Sequence, residues 1–255
     1  MQDRLKVHAL FCDYDGTLAP IGVSRTESSV PAPIAKTLGV IHELIPVAIV
    51  TAKDYTFIRR RAPFADAWSC VYGIETVLRN GAKWIEGPLM EISGAVRVVK
   101  EMTNPPRIEY KRTSSGEVCG FCAEWTPKTA PKVKAIMANV SRIRRLGLQV
   151  LYDSSYPMFD VISRSIDKGV ALGVLKKMLG IKEGVMFMGD SNADNPAFDV
   201  SDMTIGVLDG RHRSSLQCDY FVDSISLNQF LSALLDNELE FSEDLPYLRE
   251  REVST

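Results

Sequence analysis

A chain of 255 residues, 45% hydrophobic and 24% charged with a formal net charge of −2, has globular composition and is long enough for one large domain or a core carrying an insertion. The charge balance gives no electrostatic reason to expect nucleic acid or a membrane surface as partner, and no apolar run approaches the roughly 20 residues of a membrane helix. Strand-forming sequence starts so soon before Asp13 that no signal peptide is expected ahead of it, which points to a cytoplasmic protein.

The first element is the apolar run Val7–Cys12, read as a buried strand that ends in Asp13-Tyr-Asp15-Gly-Thr17. Ile34, Leu38, Ile41 and Ile45 follow Pro31 and Pro33 at helical spacing, and Val47–Val50 reads as a second buried strand ending at Thr51. Asp54 is placed to cap a helix through Phe57 and Arg61, and Trp68–Tyr72 is read as a further short strand before Gly73. Strand, helix, strand in this order argues for a parallel sheet.

From about Gly81 the texture changes. Helical patterns over Gly94–Met102 and Pro131–Arg145 are each followed by alternating, strand-like runs: Arg107–Lys111, Glu117–Trp125, Leu148–Tyr152 and Met158–Ile162. The parallel pattern then resumes with a helix over Lys168–Leu179 stopped by Gly180. Strands follow at Val185–Met188, running into Gly189-Asp190, and at Thr204–Val207 and Tyr220–Val222. The expected fold class is therefore α/β, a Rossmann-like core of residues 1–81 and 161–255 interrupted by an α+β insert over 82–160. The charged tail from Asn237 is expected to be loosely packed. Five scattered cysteines include one CxxC, Cys119 to Cys122, without a second pair or a histidine to complete a zinc site, and no chemistry is assigned to them.

Asp13 and Asp15, Thr51, Lys168, and Asp190 with Asp194 each fall at a strand end or a helix start, and a parallel sheet brings such ends to one edge. Singly, each has an ordinary reading as a turn or helix cap; their convergence is what points to chemistry. Anionic oxygens shield a phosphate monoester from nucleophiles, so its cleavage needs positive charge, an in-line nucleophile and an acid for the leaving oxygen. Asp13 can attack to form an aspartyl-phosphate, and Asp15, two residues on, can protonate the leaving alkoxide and then deprotonate water. Carboxylates crowded together call for a hard cation such as Mg²⁺, ligated by Asp13, the Asp15 carbonyl and Asp190 with Asp194 in support. Thr51 offers a hydroxyl and an amide to phosphoryl oxygens, and Lys168 adds a cation where charge develops.

Asp13-Tyr-Asp-Gly-Thr17, Thr51, Lys168 and Gly189-Asp-Ser-Asn-Ala-Asp194, in that order, resemble the four motifs of the haloacid dehalogenase superfamily of phosphohydrolases. The resemblance implies a Rossmann-like core, a required Mg²⁺ and a cap that closes over the substrate, here the α+β insert of the sugar-phosphatase branch. Within that branch, Asp13–Ile21 and Ile108-Glu109-Tyr-Lys111 look most like the trehalose-phosphate phosphatases. On that likeness the substrate would be a small sugar phosphate, trehalose 6-phosphate first. Contacts would come from Thr51, Lys53, Lys168 and Asn192 on the core and Glu109 and Lys111 on the cap, the last two reading equally well as a surface charge pair. Thr51-Ala-Lys53, Asp160 and the Gly189–Pro196 segment depart from that pattern, the last toward mannosyl-3-phosphoglycerate phosphatases. Another small-metabolite phosphatase, a phosphohexomutase and a non-catalytic sugar-phosphate sensor stand as alternatives. A monomer or small homo-oligomer is expected.

Overall fold

The computed structural model describes residues 5–23, 25–154, 156–210 and 216–251. It opens with β1 (Leu5–Lys6) and β2 (Ala9–Cys12), the latter wholly buried. Helix α1 (Ala32–Ile41) starts after Pro31 and hides Ile34, Leu38 and Ile41, the face that the spacing predicts. After β3 (Val47–Val50) comes α2 (Tyr55–Arg61), capped by Asp54, whose carboxylate accepts the Phe57 amide at 2.9 Å. Next is β4 (Ala67–Cys70), followed by a hairpin, β5 (Glu75–Leu78) and β6 (Lys83–Ile85), that sequence periodicity did not reveal. The strand expected to reach Tyr72 ends at Cys70, because Val71 and Tyr72 turn into the left-handed region with φ of 50° and 59°.

The middle of the chain folds on itself: α3 (Ser93–Lys100), β7 (Arg107–Arg112), β8 (Val118–Glu124), α4 (Val133–Arg144), β9 (Gln149–Tyr152) and β10 (Met158–Ile162). Its four strands form a separate antiparallel sheet in the order β7-β8-β10-β9. Both helices pack on one face, where Val99, Ile136 and Val140 meet Phe121 and Phe159. The opposite face carries Glu109, Cys122 and Asp160 in one cross-strand row. The large sheet reaches past residue 82, since Lys83–Ile85 pairs with β5.

The remainder supplies α5 (Lys168–Leu179), β11 (Val185–Gly189), α6 (Asn195–Phe198), β12 (Met203–Leu208), β13 (Tyr220–Asp223), α7 (Leu227–Asp236), β14 (Glu240–Phe241) and β15 (Arg249–Glu250). Asp167 caps α5, and Gly180 ends it at φ 71°. Nine strands form one sheet, β15-β13-β12-β11-β2-β3-β4-β5-β6. The run from β13 to β4 is parallel, and the outer pairings are antiparallel. Alternate residues of β2 point to opposite layers: Leu10 and Cys12 toward α1 and α7, Ala9 and Phe11 toward α5 and α6. The result is a three-layer α/β core.

The tail is a correction to the sequence reading. Leu239, Phe241 and Leu245 are buried, Phe241 pairs with Leu5 and lies 5.1 Å from the Tyr220 ring, and β15 extends the large sheet. Its apolar residues are few but sit at the positions that meet the core, which the surrounding charges mask in any compositional view.

Candidate active site

The chain leaves the sheet centre in both directions. β2 leads outward through β3 and β4, while β11, on its other side, leads through β12 and β13. The order therefore reverses between β2 and β11, and a ligand crevice opens at the carboxyl ends of the strands at such a point. Asp13 follows β2 and Asp190 follows β11, so the fold puts the two sequence-predicted acids side by side.

Asp13, Asp190 and Asp194 are all buried, with one oxygen of each within 4.8 Å of the others. Lys168, at the first position of α5 and 2% exposed, donates to Asp13 and to Asp194, both at 2.6 Å. The second oxygen of Asp194 accepts the amides of Asp190 at 3.1 Å and Ser191 at 2.9 Å and the Ser191 hydroxyl at 3.1 Å. Asp194 thus builds the loop and positions Lys168. Thr17 reaches Asp190 at 3.2 Å. Gly16, at φ +88°, is required here: a Cβ would lie 2.1 Å from an Asp190 oxygen.

Burial pushes the Asp13 carboxyl up to about 7, against the pull of Lys168 and with Asp194 adding to the rise. Burial, then Asp13 and Asp194, push Asp190 up to about 9. Burial disfavours the Lys168 charge, but Asp13 and Asp194 outweigh it and hold the ammonium well above its usual range. Three buried carboxylates around one ammonium are short of positive charge. An all-oxygen, acidic donor set of this kind fits a hard divalent cation, with Asp13 and Asp190 free to ligate and Asp194 already engaged.

Asp15 is not part of this cluster. Its carboxylate, about one-third exposed, meets the Lys53 ammonium at 3.3 Å. Thr51 is buried, but its amide donates to the Ser69 carbonyl at 2.9 Å within the sheet, so the amide expected to face phosphate is already used. Its hydroxyl oxygen accepts the Lys53 amide at 3.1 Å, which leaves the hydroxyl hydrogen to donate. Asn192, exposed, begins a 3₁₀ turn over Asn192–Asp194 that ends in the buried Asp194, on the same edge.

On the small sheet, Lys111 is buried and donates to the Ala52 carbonyl at 2.8 Å and to Asp160 at 3.1 Å. Tyr72 also donates to Asp160, at 2.8 Å. Glu109 pairs with Arg25, a residue of the loop between β2 and α1 that no periodicity or motif singles out. A recess of about 730 Å³ bordered by Met90, Tyr110 and Arg112 lies on the other side of this sheet, since Tyr110 and Arg112 alternate with Glu109 and Lys111 along β7. All five cysteines are free thiols, and burial raises Cys122 to about 12 and Cys119 likewise. No helix among the described residues is long and apolar enough to cross a membrane.

The family model described as haloacid dehalogenase-like hydrolase matches residues 110–229. A protein of Thermoplasma acidophilum named trehalose-6-phosphate phosphatase-related protein is 23% identical over 233 residues, which cover 88% of this chain and 97% of that one. The C-terminal domain of trehalose-6-phosphate phosphatase from C. albicans superposes with a TM-score of 0.70 at 12% identity, covering 91% of this chain and 93% of that one. A haloacid dehalogenase-like hydrolase from Bacteroides thetaiotaomicron superposes with a TM-score of 0.67 at 16% identity, covering 88% and 99%. The fold, and the aspartate cluster at the point where its strand order reverses, are similar to those of haloacid dehalogenase-like hydrolases and support an enzyme of that type.

Proposed function

We propose that the chain is a Mg²⁺-dependent, cytoplasmic phosphatase that hydrolyses a sugar phosphate monoester through an aspartyl-phosphate on Asp13, with trehalose 6-phosphate as the leading substrate. The observation that carries this reading is the division of labour between two acids two residues apart. Asp13 is buried and held at 2.6 Å by Lys168, while Asp15 is partly exposed and held at 3.3 Å by Lys53. A nucleophile must be fixed; a proton carrier must reach both the leaving group and water.

An Asp13 oxygen attacks phosphorus, and the bond from phosphorus to the sugar oxygen breaks. Asp15 gives its proton to the departing alkoxide, and the sugar leaves. Asp15, now a carboxylate, takes a proton from the water that attacks the aspartyl-phosphate; inorganic phosphate departs and Asp13 is restored. Throughout, Lys168 keeps one Asp13 oxygen in place, and the Thr51 hydroxyl is available to a phosphoryl oxygen. Mg²⁺, held by Asp13, the Asp15 carbonyl and Asp190, would neutralise phosphate charge and offset the burial and the mutual repulsion that raise both carboxyls.

The insert that follows β6 serves in this reading as a cap, turning Glu109, Lys111 and Asp160 toward the core. The resemblance to trehalose-6-phosphate phosphatase-related protein supports a sugar as the leaving group. The test is a phosphate-release screen with Mg²⁺ over trehalose 6-phosphate, mannosyl-3-phosphoglycerate, sucrose 6-phosphate, glucose 6-phosphate and phosphoglycolate. Highest efficiency on trehalose 6-phosphate is expected. Preference for phosphoglycolate over every sugar phosphate would overturn the substrate class, and isomerised hexose phosphate without free phosphate would make the protein a mutase.

A further inference from the structure

The small sheet touches the core through contacts of two kinds. Past the end of β7, the chain turn is docked on the β5–β6 hairpin. Glu75, 1% exposed, accepts the Ser114 amide at 2.7 Å and its hydroxyl at 2.6 Å, and Lys83 donates to the same hydroxyl at 2.8 Å. Lys111, buried nearby, ties the strand to the Ala52 carbonyl at 2.8 Å. Separating polar groups that are buried and already paired is costly, so this end is an anchor.

Two residues back along β7 the contact is different. The Glu109 carboxylate meets the Arg25 guanidinium with both side chains about one-third exposed. The core holds Arg25 from several sides: its guanidinium lies 4.5 Å over the Phe57 ring and 3.3 Å from the Asp54 carboxylate. Arg61 fixes the backbone of the same loop, donating to the Arg25 carbonyl at 2.9 Å and the Ser28 carbonyl at 2.8 Å. A partly exposed ion pair contributes little and exchanges readily with water, salt or hydroxyl groups.

We propose that Arg25 is a specificity-determining positioning residue: a clasp, carried by the core, that holds Glu109 over the crevice, while the small sheet swings about the Lys111–Ser114 anchor when the clasp lets go. The inference rests on the phosphatase reading given above, in which the leaving group lies beneath that sheet. A polyhydroxylated leaving group bonds Glu109 and keeps the clasp shut around it. A leaving group without hydroxyls makes no bond to Glu109 and gains little from the clasp. Arg25 and Glu109 therefore act as one unit, and the loss of either disables the other.

Solution scattering from the full chain decides the clasp without any substrate. The wild-type radius of gyration is expected to grow by about 1 Å, the scale of a hinge opening, when NaCl is raised from about 0.05 to about 1 M, which screens exposed pairs. Arg25→Ala is expected to be expanded at both salt concentrations, and Arg25→Lys to respond as the wild type does. Equal, salt-insensitive radii in wild type and Arg25→Ala would overturn the proposal. With trehalose 6-phosphate, kcat/KM is expected to fall about tenfold, mostly through KM, in Arg25→Ala and in Glu109→Ala, and no further in the double variant. Losses that multiply in the double variant would also overturn it. A wild-type protein inactive on every sugar phosphate would refute the substrate reading, while the scattering result would still decide the clasp.

Discussion

The two sides of the crevice are built on opposite electrostatic terms. On the core side the charges are buried and outnumber their partners: Asp13, Asp190 and Asp194 share one ammonium, that of Lys168. On the side of the small sheet the charges are matched, Lys111 with Asp160 in a buried pair and Glu109 with Arg25, itself beside Asp54, in a contact about one-third exposed. An unbalanced, buried cluster is a demand for an incoming ligand, and a balanced, half-exposed pair is a contact that can be traded. In the proposed reading the first holds the chemistry, and the second bears on the choice of substrate.

The sharpest way to break this contrast is to remove the nucleophile. Asp13→Asn is expected to lower phosphate release by about 10⁴-fold or more on every substrate, sugar or aryl, because no covalent route remains. Substantial activity on any of them would show that the buried cluster is not where bonds change. Next in size is Gly16→Ala, in which a methyl group would strike Asp190. Mg²⁺ titrated calorimetrically should bind about 100-fold more weakly, with the melting temperature of the metal-free protein changed far less; unaltered affinity would sever the link between Gly16 and the cation site.

A third experiment uses pH. Asp13 and Asp190 have carboxyls raised above their unfolded values, so the folded state binds more protons than the unfolded one as pH climbs from about 4 toward about 7 for Asp13 and about 9 for Asp190. The stability these groups lend is present at low pH and is lost as pH rises through the raised values. Without metal the protein should melt lower at pH 8.5 than at pH 5.5 as far as this site contributes, and added Mg²⁺ should raise the melting temperature more at pH 8.5, by a few degrees. A larger Mg²⁺ effect at pH 5.5 would contradict the assignment. The smallest effect belongs to the other side: Glu109→Ala should cost about tenfold on trehalose 6-phosphate and about threefold or less on p-nitrophenyl phosphate. Equal losses in the two assays would make Glu109 a structural residue.

Much of the core was legible because its signals are local. A buried run ending in Asp13 and Asp15, another ending in Gly189-Asp190, and a helix beginning at Lys168 are each set by a dozen residues, and the parallel sheet then brings their ends together. The four strands of the small sheet were legible for the same reason, as alternation. What sequence did not show depends on partners distant along the chain. Arg25 lies in a loop with no periodicity, and its role comes from Phe57, Asp54 and Glu109. Lys111, expected to meet a sugar, has its ammonium engaged by Ala52 and Asp160, a burial that no short window encodes. The β5–β6 hairpin was hidden because β5 is buried along its whole length and so lacks the alternation of a half-exposed strand.

The left-handed backbone at Val71 and Tyr72 has a consequence for how the protein can vary. A β-branched residue at φ 50° is strained by roughly 1–3 kcal/mol, yet this turn sends the Val71 and Tyr72 amides to the Lys53 and Thr51 carbonyls, both at 3.0 Å, and aims the Tyr72 hydroxyl at Asp160. Those two hydrogen bonds tie down the segment that carries Lys53, the ion-pair partner of Asp15. Two demands meet in one residue at this turn: Val71 is 1% exposed in the core, so glycine there would relax the backbone but forfeit a buried side chain, and neither a hardier protein nor a better-seated Lys53 would come of the exchange.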